Sequence, residues 1–215
     1  MDKVVIWGAS GHAMVVADIV RLQGIYSIAG FLDNVNSERH GTAFFGSWIL
    51  GGEEQLEILS THGINNILLG FGDCQASLEK TRFLQARGFS LPVAVHPKAV
   101  VAEDVVLGPG TVIAAGAVLN PGSRLGSSVI INTSASVDHE CWIGDAAHIG
   151  PGAHLAGQVT VGEATQVGIG AVVSPNVTIG RGSLIGAGAV VVENLPDQVL
   201  AYGTPAKVIR SLNPS

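Results

Sequence analysis

The chain has little charge, few aromatic rings and few basic residues. Charged side chains make up 13% of its 215 residues, against roughly a quarter in an average protein. Alongside 47% hydrophobic residues, this shortage excludes intrinsic disorder, which needs high charge and low apolarity. Aromatics at 5% exclude a core built on large rings, so small aliphatic side chains must fill it. Lys and Arg number only 11 and the net charge is −6, which leaves no basic surface for nucleic acid. No run of about eighteen residues lacks both charge and turn formers, so no membrane insertion is expected. The apolar start, Val4 to Trp7, is too short for a signal peptide. Cys74 and Cys141 form no CxxC and fit a reducing cytoplasm better than a disulfide framework. Glycine, by contrast, is abundant: 29 positions, without the period of three of collagen.

Two periods divide the chain. From Asp2 to about Leu91, short apolar runs alternate with helix-length segments. Val4–Trp7, Tyr26–Leu32 and Asn66–Phe71 read as strands. Ala13–Gln23, Glu53–Thr61 and Leu78–Arg87 read as helices, the first with Met14, Val15, Ile19 and Leu22 on its apolar side. The order is βαβαβα, a small parallel sheet flanked by helices. After Pro92 a period of six takes over. Stepping by six from Val101 to Val191 meets only Val, Ile or Leu, which identifies a solenoid. Gly108, Gly126, Gly144, Gly162 and Gly180 recur every eighteen, so three hexads make one turn of a triangular prism of about five turns. Gly, Asn and Pro are expected at its corners. The expected organisation is an α/β domain over residues 1–91, a β-helix over 92–195 and a C-terminal tail over 196–215.

Several motifs sit on this framework: Gly8-Ala-Ser-Gly-His-Ala13 after the first strand, His96-Pro97 at the junction, Asp138-His-Glu-Cys141 within the hexads, and Gly203-Thr-Pro-Ala-Lys207 near the end. With the Ile143-Gly144 type of hexad, they make the chain resemble the bacterial nucleotide-sugar acetyltransferases among the left-handed β-helix acyltransferases. The resemblance covers nearly the whole chain. It implies the left-handed turn, against the usual right-handed crossover rule. It also implies acetyl-CoA as co-substrate, no metal, and a homotrimer with the co-substrate between adjacent β-helices.

Acetyl transfer from a thioester needs a nucleophile relieved of its proton, and an imidazole, with a reference pKa of about 6.5, suits that task. His139 lies two residues beyond the inward Val137 and so should face outward, and Glu140 adjoins it. A carboxylate on one ring nitrogen fixes the tautomer and raises the basicity of the other. The resemblance makes His139 the general base and Glu140 its orienting partner. His148 lies nine residues on, half a turn, so it can share a site with His139 only across a subunit boundary. The resemblance gives acetyl-CoA contacts to His148, Gly157, Ile169 and Ala187. His154 has no such match and is read as structural, and Lys207 is read as solvated more readily than as a phosphate contact.

The Gly8–His12 loop lies between a strand and a helix, where backbone amides hold phosphate. Ser10 occupies the middle Gly position of the dinucleotide fingerprint, so NAD is poorly supported. The resemblance assigns Ser10, Gly11 and His12 to the sugar-diphosphate region, Asp33 and Asn34 to the nucleoside, and Gly72 to a further contact. Related sequences carry a basic residue about five positions beyond that glycine. Ser77 stands there in this chain, with Lys80 and Arg82 just after it.

The expected activity is acetyl-CoA-dependent N-acetylation of the 4-amino group of a nucleotide-linked deoxy sugar for bacterial surface polysaccharide or glycan synthesis. UDP, dTDP and GDP remain open as the nucleotide. Sugar O-acetylation of the sialic acid type is the alternative. A zinc hydratase like the γ-carbonic anhydrases is a distant third, because His139, His148 and His154 have the number of ligands but not the spacing.

Overall fold

The computed structural model describes residues 1–212. The first 91 residues form β1 (Asp2–Trp7), α1 (Gly11–Gln23), β2 (Tyr26–Leu32), a 3-10 turn (Ser37–Arg39), β3 (Ala43–Phe44), β4 (Ser47–Gly51), α2 (Gln55–Thr61), β5 (Asn66–Leu69) and α3 (Cys74–Ala86). The sheet order is β3-β4-β2-β1-β5. Val4, Val5 and Ile6 of β1 are buried on both faces, which explains why the strand reads as a continuous apolar run. The expected βαβαβα order lacks one feature of the structure, the antiparallel β3–β4 hairpin at the sheet edge. Its turn, Phe45-Gly46, has positive φ at both residues but none of the usual Asn-Gly or Asp-Gly chemistry, so the sequence does not signal it.

The buried face of α1 also differs from expectation. Ala13, Val16, Ala17, Ile19 and Val20 are buried, whereas Met14, Val15 and Leu22 are exposed. Gly70, at the end of β5, explains the choice of small residues. A β-carbon there would lie 2.8 Å from the Ala13 side chain, so the helix and sheet approach too closely for a larger one.

From Ala94 to Val191 the chain is a parallel β-helix of two-residue strands. Each strand pairs with the one eighteen residues later: Ser136–Val137 with His154–Leu155, Trp142–Ile143 with Thr160–Val161, His148–Ile149 with Gln166–Val167. These three pairings represent its first, second and third faces. The second residue of each strand turns inward and stacks on its equivalents. A further column lies two residues earlier, where Ala135, Cys141, Ala147 and Ala153 complete the core. Where this column carries Thr111, Ser123, Thr165 or Ser183, the buried hydroxyl donates to a backbone carbonyl of the next coil, so it costs little. Strands Val199–Gly203 and Ala206–Ser211 extend the third face.

The glycines spaced by eighteen serve a different purpose from the turn geometry expected of corners. Gly108, Gly126, Gly144, Gly162 and Gly180 do not have positive φ, but a β-carbon on any of them would strike the backbone of the next coil. The left-handed corner positions instead run every six residues from Gly110 to Gly188, and non-glycine residues, Glu140 among them, hold several.

The two halves pack together. Ala94, Val112 and Ala114, on the upper third face, share a core with α1. On α3, Thr81 donates to Ser128 (2.6 Å) and Arg82 pairs with Glu163 (2.9 Å). The outward residue below Ile130 on the third face is His148, and the cover thins there.

Candidate active site

His139 and Glu140 occupy the corner between the first and second faces. Glu140 adopts φ of 57°, a left-handed geometry that a non-glycine residue takes at a cost of order 1–2 kcal/mol. This corner turns the carboxylate back onto the preceding ring. His139 Nδ1 donates to Glu140 Oε2 at 3.2 Å, and Gln158 Nε2, one coil further, donates to the same oxygen at 3.0 Å. The backbone N–H of His139 donates to Asp138 Oδ1 (2.7 Å), which also accepts from Asn120 Nδ2 (2.9 Å). The His139 amide holds the Asp138 carboxyl below its ordinary pKa, with Asn120 adding to the effect. The imidazole is therefore held through one nitrogen and through its backbone, with Nε2 free of hydrogen bonds among the described residues. Gly157 lies in the same corner column: a β-carbon there would collide with the His139 ring. Its bareness has an intrachain cause, room for the imidazole.

Ile169 and Ala187 are exposed and lie in the corner column between the third and first faces. The residues expected to hold acetyl-CoA are thus split within one chain between two corners of the prism.

His148 projects from the third face, near that second corner. Asn132 Nδ2 lies 3.0 Å from its Nε2, and its Nδ1 lies 3.4 Å from the Gly72 carbonyl, so Nδ1 carries the proton and Nε2 accepts. Gly72 thereby serves as a link between the halves. His12, in the first turn of α1, stacks obliquely near His148 with ring centroids 6.3 Å apart. Its Nε2 is buried without a hydrogen-bond partner among the described residues, and burial, reinforced by His148, lowers its pKa to about 4. Burial lowers the pKa of His148 as well. Cys74, beside this cluster, has its thiol pushed up to about 11 by burial. His154 faces outward from the first face, where its Nδ1 bonds with Ser136 Oγ (2.8 Å), whereas His148 lies on the third face. Among the described residues, no group of three His, Cys, Asp or Glu is placed to hold a metal.

Ser10, Asp33 and Asn34 line a cavity of about 410 Å³ at the ends of β1, β2 and β5, with an apolar floor that includes Trp7, Leu32 and Phe71. Ser10 does not cap α1 with its side chain, and the helix has no acidic residue in its first turn. The N-terminus of α1 thus carries no side-chain cap from Ser10, whereas Asp73 caps α3 by accepting from Ala76 (2.8 Å). Gly11 and His12 turn away from this cavity, toward the solenoid. Asp33 is buried. Its Oδ1 accepts from Val35 and Asn36 amides (2.9 and 3.1 Å), and its Oδ2 pairs with Arg39 (3.2 Å). It shapes the loop, while Asn34, with Oδ1 accepting from Trp7 Nε1 (2.8 Å), faces outward. Arg39, which sequence reasoning missed, also donates to the Ala9 carbonyl and lines the cavity. No motif marks it. Ser77 is buried and away from the cavity, and Arg82 is taken by Glu163, but Lys80 reaches the cavity wall, paired with Glu53 at 2.7 Å and lying over Trp7. A larger cleft, about 630 Å³, lies between α2 and α3, and there three carboxylates, Glu53, Glu54 and Glu57, face a single cation, Arg87.

Both halves of the chain are similar to known proteins. Residues 3–80 match the PglD N-terminal domain, and residues 158–192 match the bacterial transferase hexapeptide (six repeats). A perosamine N-acetyltransferase from Caulobacter crescentus, solved as a His-to-Asn variant with CoA and GDP-perosamine, is 41% identical. Its TM-score is 0.93, and the match covers 98% of both chains. The acetyltransferase domain of PglB from Neisseria gonorrhoeae, solved with acetyl coenzyme A, is 38% identical over 96% of this chain and 98% of that one, with a TM-score of 0.89. WeeI from Acinetobacter baumannii is 25% identical over 97% of this chain and 100% of that one, with a TM-score of 0.86. The chain belongs to the acetyl-CoA-dependent nucleotide-sugar N-acetyltransferases of the hexapeptide family, an α/β domain joined to a left-handed parallel β-helix.

Proposed function

We propose that the protein acetylates the 4-amino group of a nucleotide-linked 4-amino-deoxy sugar, with acetyl-CoA as donor, for bacterial surface polysaccharide or glycan synthesis in the cytoplasm. The supporting observation is the His139–Glu140–Gln158 corner, in which the imidazole is anchored through Nδ1 and Nε2 is left open. The amine nitrogen attacks the thioester carbonyl carbon, the C–S bond breaks, and CoA leaves as the thiolate. His139 Nε2 accepts the proton that the amine loses, and Glu140 supports the imidazolium so formed.

Residues 1–91 hold the nucleotide sugar, with its diphosphate beside Ser10, at the uncapped start of α1, and near Arg39 and Lys80, and its nucleoside toward Asn34. Residues 92–195 carry the chemistry. Because His139 and Gly157 share one corner while His148, Ile169 and Ala187 lie at or near another, a homotrimer completes each site from two subunits. Within the tail, 196–215, the strands Val199–Gly203 and Ala206–Ser211 extend the third face.

The test is thiol release from acetyl-CoA with UDP-, dTDP- and GDP-linked 4-amino sugars and the matching hydroxy sugars, with products identified by mass. Release dependent on the amine supports the reading. Release with the hydroxy sugars alone overturns it in favour of O-acetylation.

A further inference from the structure

At Gly52, on the rim between the cavity and the cleft beside α2, a donor and an acceptor stand near each other. Asn34 has its amide orientation fixed, because Trp7 Nε1 donates to its Oδ1 and so leaves Nδ2 as a donor. Glu54 curls back so that its Oε1 accepts from the Gly52 amide at 2.7 Å. Both groups meet over bare Gly52: a β-carbon there would lie 2.8 Å from Glu54 Oε2 and 3.3 Å from Asn34 Nδ2. Asn34 is on the cavity wall, and Glu54, which lines the neighbouring cleft between α2 and α3, meets it across Gly52 at the rim between the two. Exposed Val35 offers an apolar surface at the same rim.

A base edge that satisfies this pair needs a carbonyl oxygen for Nδ2 and an adjacent N–H for the carboxylate. Adenine and cytosine present the reverse order of donor and acceptor. Guanine, uracil and thymine present the right order, but they differ at the third position. Guanine places its 2-amino group there and offers the carboxylate a second N–H. Uracil and thymine place a carbonyl oxygen there, which faces the negative charge. A site built around a hydrogen bond strongly rejects the analogue that cannot make it.

Resting on the proposed acetyltransferase reading, we infer that Asn34 and Glu54 form a base-selecting pair that makes a guanosine diphosphate sugar the preferred substrate. The Gly52 amide keeps the Glu54 carboxyl below its ordinary pKa, so the acceptor is charged at neutral pH.

The inference is tested by titration calorimetry of GDP, IDP, UDP and dTDP binding to the full chain and to Glu54→Gln. GDP is expected to bind about tenfold more tightly than IDP, which lacks the 2-amino group, and at least tenfold more tightly than UDP or dTDP. In Glu54→Gln the new carbonyl keeps the Gly52 hydrogen bond and an NH2 replaces Oε2. The GDP-to-UDP ratio is then expected to fall to about one or to invert, with the thermal midpoint unchanged; a merely structural role would shift the midpoint and leave the ratio alone. Equal binding of UDP or dTDP by the wild type, or an unchanged ratio in the variant, overturns the inference. Acetyl transfer to UDP- or dTDP-linked amino sugars would then still uphold the proposed function. If no nucleotide binds and no sugar nucleotide is acetylated, both fall together.

Discussion

The α/β half and the β-helix place their chemical groups in different ways. In the α/β half, groups at the cavity come from strand ends and loops, and individual side-chain bonds hold them: Asp33 to two amides and Arg39, Trp7 to Asn34, Glu54 to Gly52. In the β-helix, a repeated backbone does the placing. His139 and Glu140 stand where a left-handed corner recurs every six residues, and the coil beneath supplies Gln158 and Gly157 by stacking. The first kind of site depends on particular contacts between distant residues. The second depends on a period, and most of its geometry follows once the register is known.

Four experiments bear on this contrast, from the largest expected effect to the smallest. At the junction, His12 is buried with a pKa near 4, below its unfolded value of about 6.5, so the folded state resists protonation. The unfolded chain then binds more protons between these values, and stability rises with pH across pH 4 to 6.5 and levels off above. The contribution lost on acidification is about 3 kcal/mol. Urea unfolding from pH 7.5 to 4.5 should show this slope, and His12→Asn should flatten it; an equal slope in the variant would place the acid sensitivity elsewhere.

At the repeat-built site, His139→Ala should reduce kcat at least a hundredfold, about 2.7 kcal/mol, with nucleotide affinity preserved, as expected if the other half holds the nucleotide as proposed. Wild-type turnover in that variant would sink the assignment of the base.

The two classes of glycine separate next. Gly144→Ala forces a β-carbon against the next coil, 2.5 Å from the Glu163 amide, and should cost about 2–3 kcal/mol of stability. Gly152→Ala, at φ of 62° in open space, pays only the left-handed penalty of about 1 kcal/mol. Equal losses in thermal midpoint would show that coil spacing is not what the glycines spaced by eighteen protect.

Gly157→Ala distinguishes support of His139 from a role in holding acetyl-CoA. Displacement of the imidazole should lower kcat about tenfold with little change in KM for acetyl-CoA, about 1.4 kcal/mol. A raised KM with kcat intact would return Gly157 to co-substrate binding alone.

Much of this molecule was legible in the order of its residues. The unbroken Val, Ile and Leu column from Val101 to Val191 gave the prism, and the pairing of each strand with the one eighteen residues later bears it out. The outward placement of His139 followed from its position after Val137. Less legible was the α/β half. The β3–β4 hairpin turns through Phe45-Gly46 without a recognisable turn pair, and α1 buries Ala13 and Ala17 because Gly70 draws it close, a contact that no local pattern encodes. Arg39 and Glu54 escaped notice for the same reason.

The sequence by itself therefore determined the repeat, its register and the residues its corners present. Neighbours in a solenoid are separated by a fixed number of positions, so periodicity carries the spatial information. Only the tertiary structure decided what crosses between periods and halves: His12 beside His148, Gly72 bridging to it, Asn34 and Glu54 meeting over Gly52, and Asp33 spent on its own loop. These contacts join residues at irregular separations, and their energies come from burial and hydrogen bonding that exist only once the chain has folded.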